Sequence, residues 1–186
     1  GVPWLVPLPE ALLKPPPSST LYLARDGTPL RHLLNEDGTR SAPPVQFSEI
    51  PPLLAHAVLA AEDKRFFSHG GVDPLAIARA AWDNAQAKRV VSGASTIHQQ
   101  LIKNTTPRSG KRTLGIKIVE ALQARRLAMS WSREDVLTAY LNRISFGNLM
   151  TGAATAASGY FHKPLGDLTP AECALLAALP QSPSRL

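Results

Sequence analysis

The chain has 186 residues, of which 44% are hydrophobic, so it is long enough for one domain with a proper core and is not disordered throughout. A single cysteine, Cys173, excludes an internal disulfide and a cysteine-based metal cluster. The net charge is +6, and residues 105–133 carry all of this excess, with seven Lys or Arg and one acid. Such a basic segment indicates an anionic partner, which could be a membrane surface, a phosphorylated substrate or a nucleic acid.

The two ends of the chain give little sign of a packed element. Residues 1–19 contain six prolines, which predicts a stiff, extended leader. The chain begins with Gly1 and stops after Leu186, so we interpret it as a piece of a longer protein whose targeting segment is absent. No apolar stretch approaches the roughly 20 residues needed to span a bilayer.

Residues 20–49 predict a small β element that packs on the main domain. Residues 20–24 are typical of a strand, Asp26-Gly27 is a turn signal, and residues 28–34 supply the partner strand. Asp37-Gly38 marks a second turn. We expect packing against the main domain because an isolated hairpin is marginally stable in water.

Residues 50–186 form the predicted main domain, and their pattern is mostly helical. Asp73 followed by Pro74 is an N-cap with proline at the first helical position, and Ser132 and Thr169 each begin a capping box. The predicted helices are residues 53–67, 74 to about 88, 94–104, 111–129 and 133–142, with another after Thr169.

Glu62 is the first candidate for chemistry, because it follows the apolar run 57–61 near the end of a helix. Burial raises the pKa of a carboxyl toward the working pH, which suits a general base or acid. The alternative is that Glu62 and Asp63 form a solvated acidic helix end, balanced by Lys64 and Arg65. The N-cap role explains Asp73, to which we assign no chemistry.

The third predicted helix carries a polar face. Thr96, Gln100 and Lys103 have the spacing i, i+4, i+7 and therefore lie on one side. A hydroxyl, an amide and an ammonium together suit a diphosphate or a sugar, and the hydroxyls of Ser95 and Thr96 would add anion affinity at the helix start. Plain solvent exposure is the alternative.

Glu120 is the only acid among seven basic residues in the segment 105–133. Lys117 lies three residues before it, so the two could form an ordinary intrahelical ion pair. In the functional alternative, Glu120 is a second active-site carboxylate beside the cations of Arg112 and Lys117.

Two motifs carry a resemblance to a known family. Residues 62–73 match Glu-Asp-x-x-Phe-x-x-His-x-Gly-x-Asp, and residues 93–104 match Gly-x-Ser-Thr-Ile-x-Gln-Gln-Leu-x-Lys-Asn, at every fixed position. Three further blocks follow in order, at residues 112–120, 140–147 and 152–172. The sequence thereby resembles the glycosyltransferase domain of class A penicillin-binding proteins and their monofunctional relatives, most of all the 1C branch.

The resemblance implies a fold and a reaction. The fold would be mostly α, with a lysozyme-like glycosyltransferase lobe and a small membrane-facing jaw between the first two motifs or just after them. The enzyme would polymerise lipid II into β-1,4-linked glycan strands, with inversion and release of undecaprenyl diphosphate. It would work on the periplasmic face of the bacterial inner membrane.

The resemblance also assigns roles to individual residues. Glu62 would be the general base and Glu120 the second catalytic carboxylate. The remaining matching positions would bind substrate or shape the cleft, and they are Asp63, Phe66, His69, Ser95, Thr96, Gln100, Lys103, Arg112 and Lys117. No metal-ligand set and no required cofactor are implied, although a divalent cation, Mg²⁺ or Mn²⁺, could assist at the diphosphate. The implied partners are lipid II, the growing strand, the membrane surface, a fused transpeptidase domain and other cell-wall synthesis proteins.

Five positions depart from the family pattern: Ala94, His98, Ile116, Ala128 and Arg133. Losing a cation at position 116 could weaken diphosphate binding, so a catalytically weakened membrane or scaffold module is one rival interpretation. A lysozyme-like glycan hydrolase that also uses Glu62 is another. We exclude a nucleic-acid partner, because Trp131 is the only aromatic residue in the basic segment.

Overall fold

Helices make up most of the computed structural model, which describes residues 2–89, 93–107 and 113–181. The helices are α1 (Glu10–Leu13), α2 (Pro52–Glu62), α3 (Pro74–Ala87), α4 (Ile97–Thr105), α5 (Leu114–Ser130), α6 (Arg133–Leu141), α7 (Ala153–Phe161) and α8 (Pro170–Ala178). The strands are β1 (Leu21–Leu23), β2 (Pro29–His32), β3 (Arg40–Ser41) and β4 (Met150–Thr151). The mostly-α prediction with a short N-terminal β element is confirmed.

The helix starts follow local capping chemistry. Asp73 accepts hydrogen bonds from the backbone N–H groups of Leu75 and Ala76, as its predicted N-cap role requires. The predicted capping boxes at Ser132 and Thr169 are both present. Helix α4 begins three residues later than predicted, because Thr96 forms a capping box of its own.

Helix α2 is also shorter than predicted. It ends at Glu62 rather than at residue 67, and Asp63 leaves the helical conformation with φ −155° and ψ 71°. The chain then turns repeatedly through residues 64–72 before α3 begins. As a result, the first motif is split between a helix end and a tight turn.

The core is built where α2 packs on α8 and where α4 packs on α5 and α6. Leu54, Leu101 and Leu176, from three of these helices, are completely buried. Burying one such side chain is worth about 1.5–3 kcal/mol. This packing brings the end of α2 against α4, where the candidate site lies.

The β element has two parts, one of which was not predicted. Strands β1 and β2 form the expected antiparallel hairpin, and the backbone N–H of Thr28 donates to the Asp26 carboxylate across the turn. The second part is a parallel pairing of β3 with β4, which joins Arg40 to Met150 and Ser41 to Thr151. The β element is therefore anchored to the segment that precedes α7.

The prediction of an extended, unpacked leader is wrong. Leu12 of α1 is buried in the core, with 2% of its surface exposed. On α5, Gln123 donates to the carbonyl of Pro7 and Arg126 donates to the carbonyl of Val6, both at 2.7 Å. One acceptor belongs to Pro7 and the other to Val6 before it, and the two α5 side chains use these carbonyls to hold the segment down.

Candidate active site

Glu62 is the last residue of α2, and its carboxylate is half-buried against α4. Its Oε2 atom accepts a hydrogen bond of 2.8 Å from Nε2 of Gln100. Its Oε1 atom is buried and has no hydrogen-bond partner in the described part of the chain. One oxygen therefore fixes the carboxylate, and the other keeps its capacity to accept a proton.

Gln100 is oriented by a second residue, Tyr140 of α6. The Tyr140 hydroxyl donates to Oε1 of Gln100 at 3.1 Å, which leaves the amide N–H₂ group facing Glu62. Burial, and then the negative charges of Glu62 and Asp63, raise the pKa of the Tyr140 phenol far above its ordinary value. Tyr140 therefore remains a donor at physiological pH.

Sequence reasoning placed Gln100 in the site but missed Tyr140. The signal was present, since Tyr140 begins the fourth block of the family pattern. Its hydrogen bond to Gln100 depends on the packing of α6 against α4, which the sequence does not show.

The turn after Glu62 is held by hydrogen bonds among buried groups. The Asp63 carboxylate lies 2.9 and 3.0 Å from Nε2 of His69, and it also accepts from the backbone N–H of Ile97 at 3.0 Å. The Nδ1 atom of His69 accepts from the N–H of Gly71 at 3.1 Å, so the ring proton lies on Nε2 and is donated to Asp63.

Four of the residues predicted to bind substrate or shape the cleft lie beneath its surface, each at most 7% exposed: Asp63, Phe66, His69 and Thr96. The Thr96 hydroxyl caps α4 and donates to the carbonyl of Gly71 at 2.7 Å. The polar atoms of Asp63 and His69 bond to each other and to backbone. These residues support the cleft from below, and direct contact with a substrate stays a prediction.

A cleft of about 170 Å³ opens beside Glu62 and Asp63, with Lys64, Arg79 and Ser95 among the residues that line it. Ser95 is exposed and precedes the start of α4, as expected for a group that meets a ligand. The cleft is polar and carries both signs of charge. It suits a hydrophilic substrate better than an apolar one.

The predicted cations and second carboxylate lie on α4 and α5. Lys103 is exposed one turn beyond Gln100, and Lys117 is exposed near the start of α5. Glu120 is buried, with 1% of its surface exposed, on α5, the helix that packs against α4. Arg112 lies outside the described residues. The catalytic and substrate-binding roles of all four stay predictions.

Asp73 has the structural role that the sequence assigned to it. Burial alone would raise its pKa, but hydrogen bonds from the N–H groups of Ala76 and Leu75 and the nearby charge of Arg65 hold the pKa below its ordinary value. The Arg65 Nε atom lies 3.0 Å from the Asp73 carboxylate. The pair anchors the start of α3 to the turn that follows Glu62.

One cluster in the described part of the chain has the composition of a metal site. Ligand atoms of Asp63, His69 and His98 all lie within 4.8 Å of one another. However, the Nε2 atom of His98 accepts from Nη1 of Arg133 at 3.0 Å, and a guanidinium at this position repels a metal cation. The Asp63 carboxylate is already bonded to His69 and to backbone. The cluster does not suit a metal, and the divalent cation at the diphosphate stays a prediction.

Comparison with known proteins identifies the family. A family model described as transglycosylase matches residues 26–186. The chain belongs to the transglycosylase family. At this level it is a glycosyl-transferring domain of the kind found in penicillin-binding proteins, and the predicted family is confirmed.

Relatives of this transglycosylase domain are penicillin-binding proteins. Penicillin-binding protein 1C of Escherichia coli (strain K12) is 37% identical over 186 residues, which is 100% of this chain and 23% of the relative. Penicillin-binding protein 1A of Neisseria flavescens is 46% identical over 139 residues, or 75% of this chain and 17% of the relative. That of Neisseria gonorrhoeae is 45% identical over the same shares. The chain thus spans about a quarter or less of the length of these relatives.

Proposed function

We propose that this domain polymerises lipid II into β-1,4-linked peptidoglycan strands and that Glu62 is the general base. The observation that carries the proposal is the state of the Glu62 carboxylate, with Oε2 held by Gln100 and Oε1 without a described partner at the edge of a polar cleft. A general base must be held in place and must keep one oxygen available for the proton. Gln100 holds the Glu62 carboxylate in place, and the unpartnered Oε1 of this cleft-lining residue supports the role of base.

The proposed reaction is an inverting displacement. The 4-hydroxyl oxygen of the acceptor sugar attacks the anomeric carbon at the reducing end of the growing strand, and its proton passes to the Glu62 carboxylate. The bond between that carbon and the diphosphate oxygen breaks, and its electron pair leaves with undecaprenyl diphosphate. Negative charge therefore grows on the diphosphate in the transition state.

Cations near the leaving group would lower the barrier, because they bind the transition state more strongly than the ground state. Lys103 and Lys117 are the described candidates for this role, and Arg112 is a third. Glu120 would orient the donor or support its leaving group. A divalent cation at the diphosphate would add charge of the same sign, and no step above depends on it.

The membrane surface is the partner that a lipid-linked substrate requires. Helix α3 lies between the first two motifs and exposes Leu75, Ile77 and Trp82, which are 60%, 46% and 67% exposed. Tryptophan favours the interface between lipid and water. We propose that this face of α3 belongs to the membrane-facing jaw, on the periplasmic side of the inner membrane. None of the helices in the described part combines the length and apolar character that crossing a bilayer requires.

Glu62→Gln tests the proposed base. The amide keeps the size of the side chain but cannot take a proton, so we expect strand synthesis from labelled lipid II to fall by about 10²–10⁴-fold. Glu36→Gln, which changes an exposed acid in the loop after the hairpin, is the matched control and should leave the rate unchanged.

The same assay separates the rival functions. A glycan hydrolase would make no polymer and would cleave strands that are already polymerised. A scaffold module would do neither, and Glu62→Gln would change nothing. If wild type forms polymer and Glu62→Gln forms it at the same rate, Glu62 is not the base, although the proposed polymerisation stands.

A further inference from the structure

His98 is a buried polar residue that the proposed reaction does not use. Its side chain is completely buried on α4. The ring centroid lies 5.1 Å from that of Phe66 and 5.6 Å from that of His69. Both neighbouring rings belong to the turn that follows Glu62, so His98 packs against the support of the candidate base.

Arg133 connects His98 to the same turn. Its Nη1 atom donates to Nε2 of His98 at 3.0 Å, and its Nη2 atom donates to the backbone carbonyl of His69. Its guanidinium carbon lies 5.3 Å from the centre of the Phe66 ring. A guanidinium presents several donors in a fixed plane, and this geometry lets one side chain hold two acceptors from different elements.

The contact defines the protonation state of His98. A guanidinium has no acceptor, so Nε2 of His98 must accept, and the ring proton of a neutral imidazole then lies on Nδ1. That Nδ1 atom is buried and lacks a hydrogen-bond partner in the described structure. Burial first, and then the nearby positive charge of Arg133, lower the pKa of His98 to about 3. His98 is therefore neutral at physiological pH, and its Nε2 atom remains a hydrogen-bond acceptor for Arg133.

The support continues from Arg133 to the candidate base. Arg133 holds the carbonyl of His69, the His69 ring donates to Asp63, and Asp63 is covalently next to Glu62. The N–H of Ile97 binds the same Asp63 carboxylate from α4. A shift of Arg133 would therefore move the carbonyl of His69. The hydrogen bond from His69 to Asp63 would then pass the movement to the residue next to Glu62.

We propose that Arg133 and His98 act as one unit that positions Glu62. In this unit the guanidinium of Arg133 donates one hydrogen bond to the ring of His98 and another to the backbone of the turn at residues 63–71. The inference rests on the proposed function of Glu62. Neither side chain is required to touch the substrate, so both are positioning residues. Each also departs from the family pattern, and the two departing residues are in direct contact.

Substitutions at both positions test the unit. Arg133→Lys keeps the charge but loses the planar fork, and His98→Leu removes the acceptor. We expect each to lower kcat for strand synthesis by about 10- to 100-fold with little change in KM, because a misplaced catalytic group loses rate rather than binding. The double variant should be no slower than the slower single variant. His98→Gln, which can still accept from Arg133, should restore most of the rate.

Arg143→Lys is the matched control. Arg143 also uses its fork to hold backbone carbonyls, those of Leu12 and Lys14, but it lies beyond the end of α6 on the leader side of the molecule. This variant should lower the unfolding midpoint without lowering kcat. If Arg143→Lys and Arg133→Lys lower kcat equally, the effect is a general loss of stability and the positioning role is wrong.

Imidazole ¹⁵N NMR provides a readout that does not depend on activity. Wild type at pH 7 should show His98 neutral with its proton on Nδ1, and Arg133→Lys should shift the His98 signals. A proton on Nε2 of His98 in wild type would overturn the inference. If wild type makes no polymer but shows the expected His98 signals, the proposed function fails while the contact stands. Unchanged kcat in Arg133→Lys, with shifted His98 signals, would show that the contact does not position Glu62.

Discussion

Gly71 lies where the turn after Glu62 meets the backbone of α5. Its φ is +94°, which L side chains rarely adopt, and an added Cβ would lie 2.2 Å from the carbonyl oxygen of Ala124. The obstacle is helix backbone, which cannot rotate away as a side chain could. The N–H of Gly71 also holds His69. Both the conformation and the close approach require glycine at this position.

We therefore expect Gly71→Ala to destabilise the domain more than another left-handed glycine would. Gly38→Ala is the matched control, because Gly38 has φ +77° and no atom within 4 Å of an added Cβ. The control should cost roughly 1–2 kcal/mol for the left-handed conformation. Gly71→Ala should cost about 1–3 kcal/mol more from overpacking. Urea unfolding of both variants measures the difference, and equal costs would contradict the packing argument.

At this scale, the sequence predicted single residues whose roles follow from near neighbours. The N-cap role of Asp73 before Pro74 is such a case, and so is the place of Glu62 near a helix end, while its catalytic role stays a prediction. The contact between His98 and Arg133 could not be predicted, because it joins residues 35 positions apart on two helices. Its geometry depends on how α4 and α6 pack, which neither spacing nor composition encodes.

At the scale of the helices, the cap at the start of α8 makes the stability of the domain depend on pH. The Glu172 carboxylate lies 2.8 and 3.1 Å from Nζ of Lys163 and accepts from the backbone N–H and the hydroxyl of Thr169. The hydrogen bond from Lys163, followed by that from the Thr169 N–H, lowers the pKa of Glu172 from 4.5 to about 2. The cap therefore ties α8 to the segment after α7.

The sign of the pH effect follows from this lowered pKa. The stabilisation by Glu172 is complete above about pH 4.5, shrinks as the pH falls toward about 2, and is absent below that. We expect Glu172→Gln to lower the urea midpoint at pH 7 and to lie closer to wild type at pH 3. Glu36→Gln should match wild type at both values. A difference for Glu172→Gln that stays constant with pH would show that its charge is not responsible.

Helix starts were predicted at three local caps and missed at a fourth, Thr96, whose capping box lies inside the predicted helix. Asp73, Ser132 and Thr169 each cap a helix through groups two or three residues away, so the sequence contains the whole interaction. The parallel pairing of β3 and β4 involves two residues on each side and has no local signal. Such short strands form only because the tertiary fold brings them together.

For the molecule as a whole, the leader is a structural part of the domain. Leu12 and Leu13 are neighbours on α1, but Leu12 is 2% exposed and Leu13 is 63% exposed. Leu12→Ala should destabilise the domain by about 2–5 kcal/mol through loss of buried volume. Leu13→Ala has the same chemistry on the same helix and should cost less than about 0.5 kcal/mol. Chemical denaturation compares the two, and equal costs would mean that the leader does not contribute to the core.

The general architecture was largely predictable because apolar runs and caps mark α2 to α6 and α8, whereas α7 was not predicted. The packing of the leader was not predictable, because proline content favours an extended chain and says nothing about donors elsewhere. Gln123 and Arg126 on α5 bind carbonyls that lie about 120 residues earlier. Only the assembled helices create a surface on which a proline-rich segment can pack.

The pairing of Ser41 with Thr151 constrains how the protein can be made in the cell. A ribosome adds about 5–20 residues per second, so the partner of β3 is synthesised roughly 5–20 s after it. During that interval the nascent chain presents an unpaired strand and the apolar side chain of Leu12 to the surrounding solution. Chaperones that hold extended, apolar segments would therefore meet residues 12–41 before α4 and β4 can cover them.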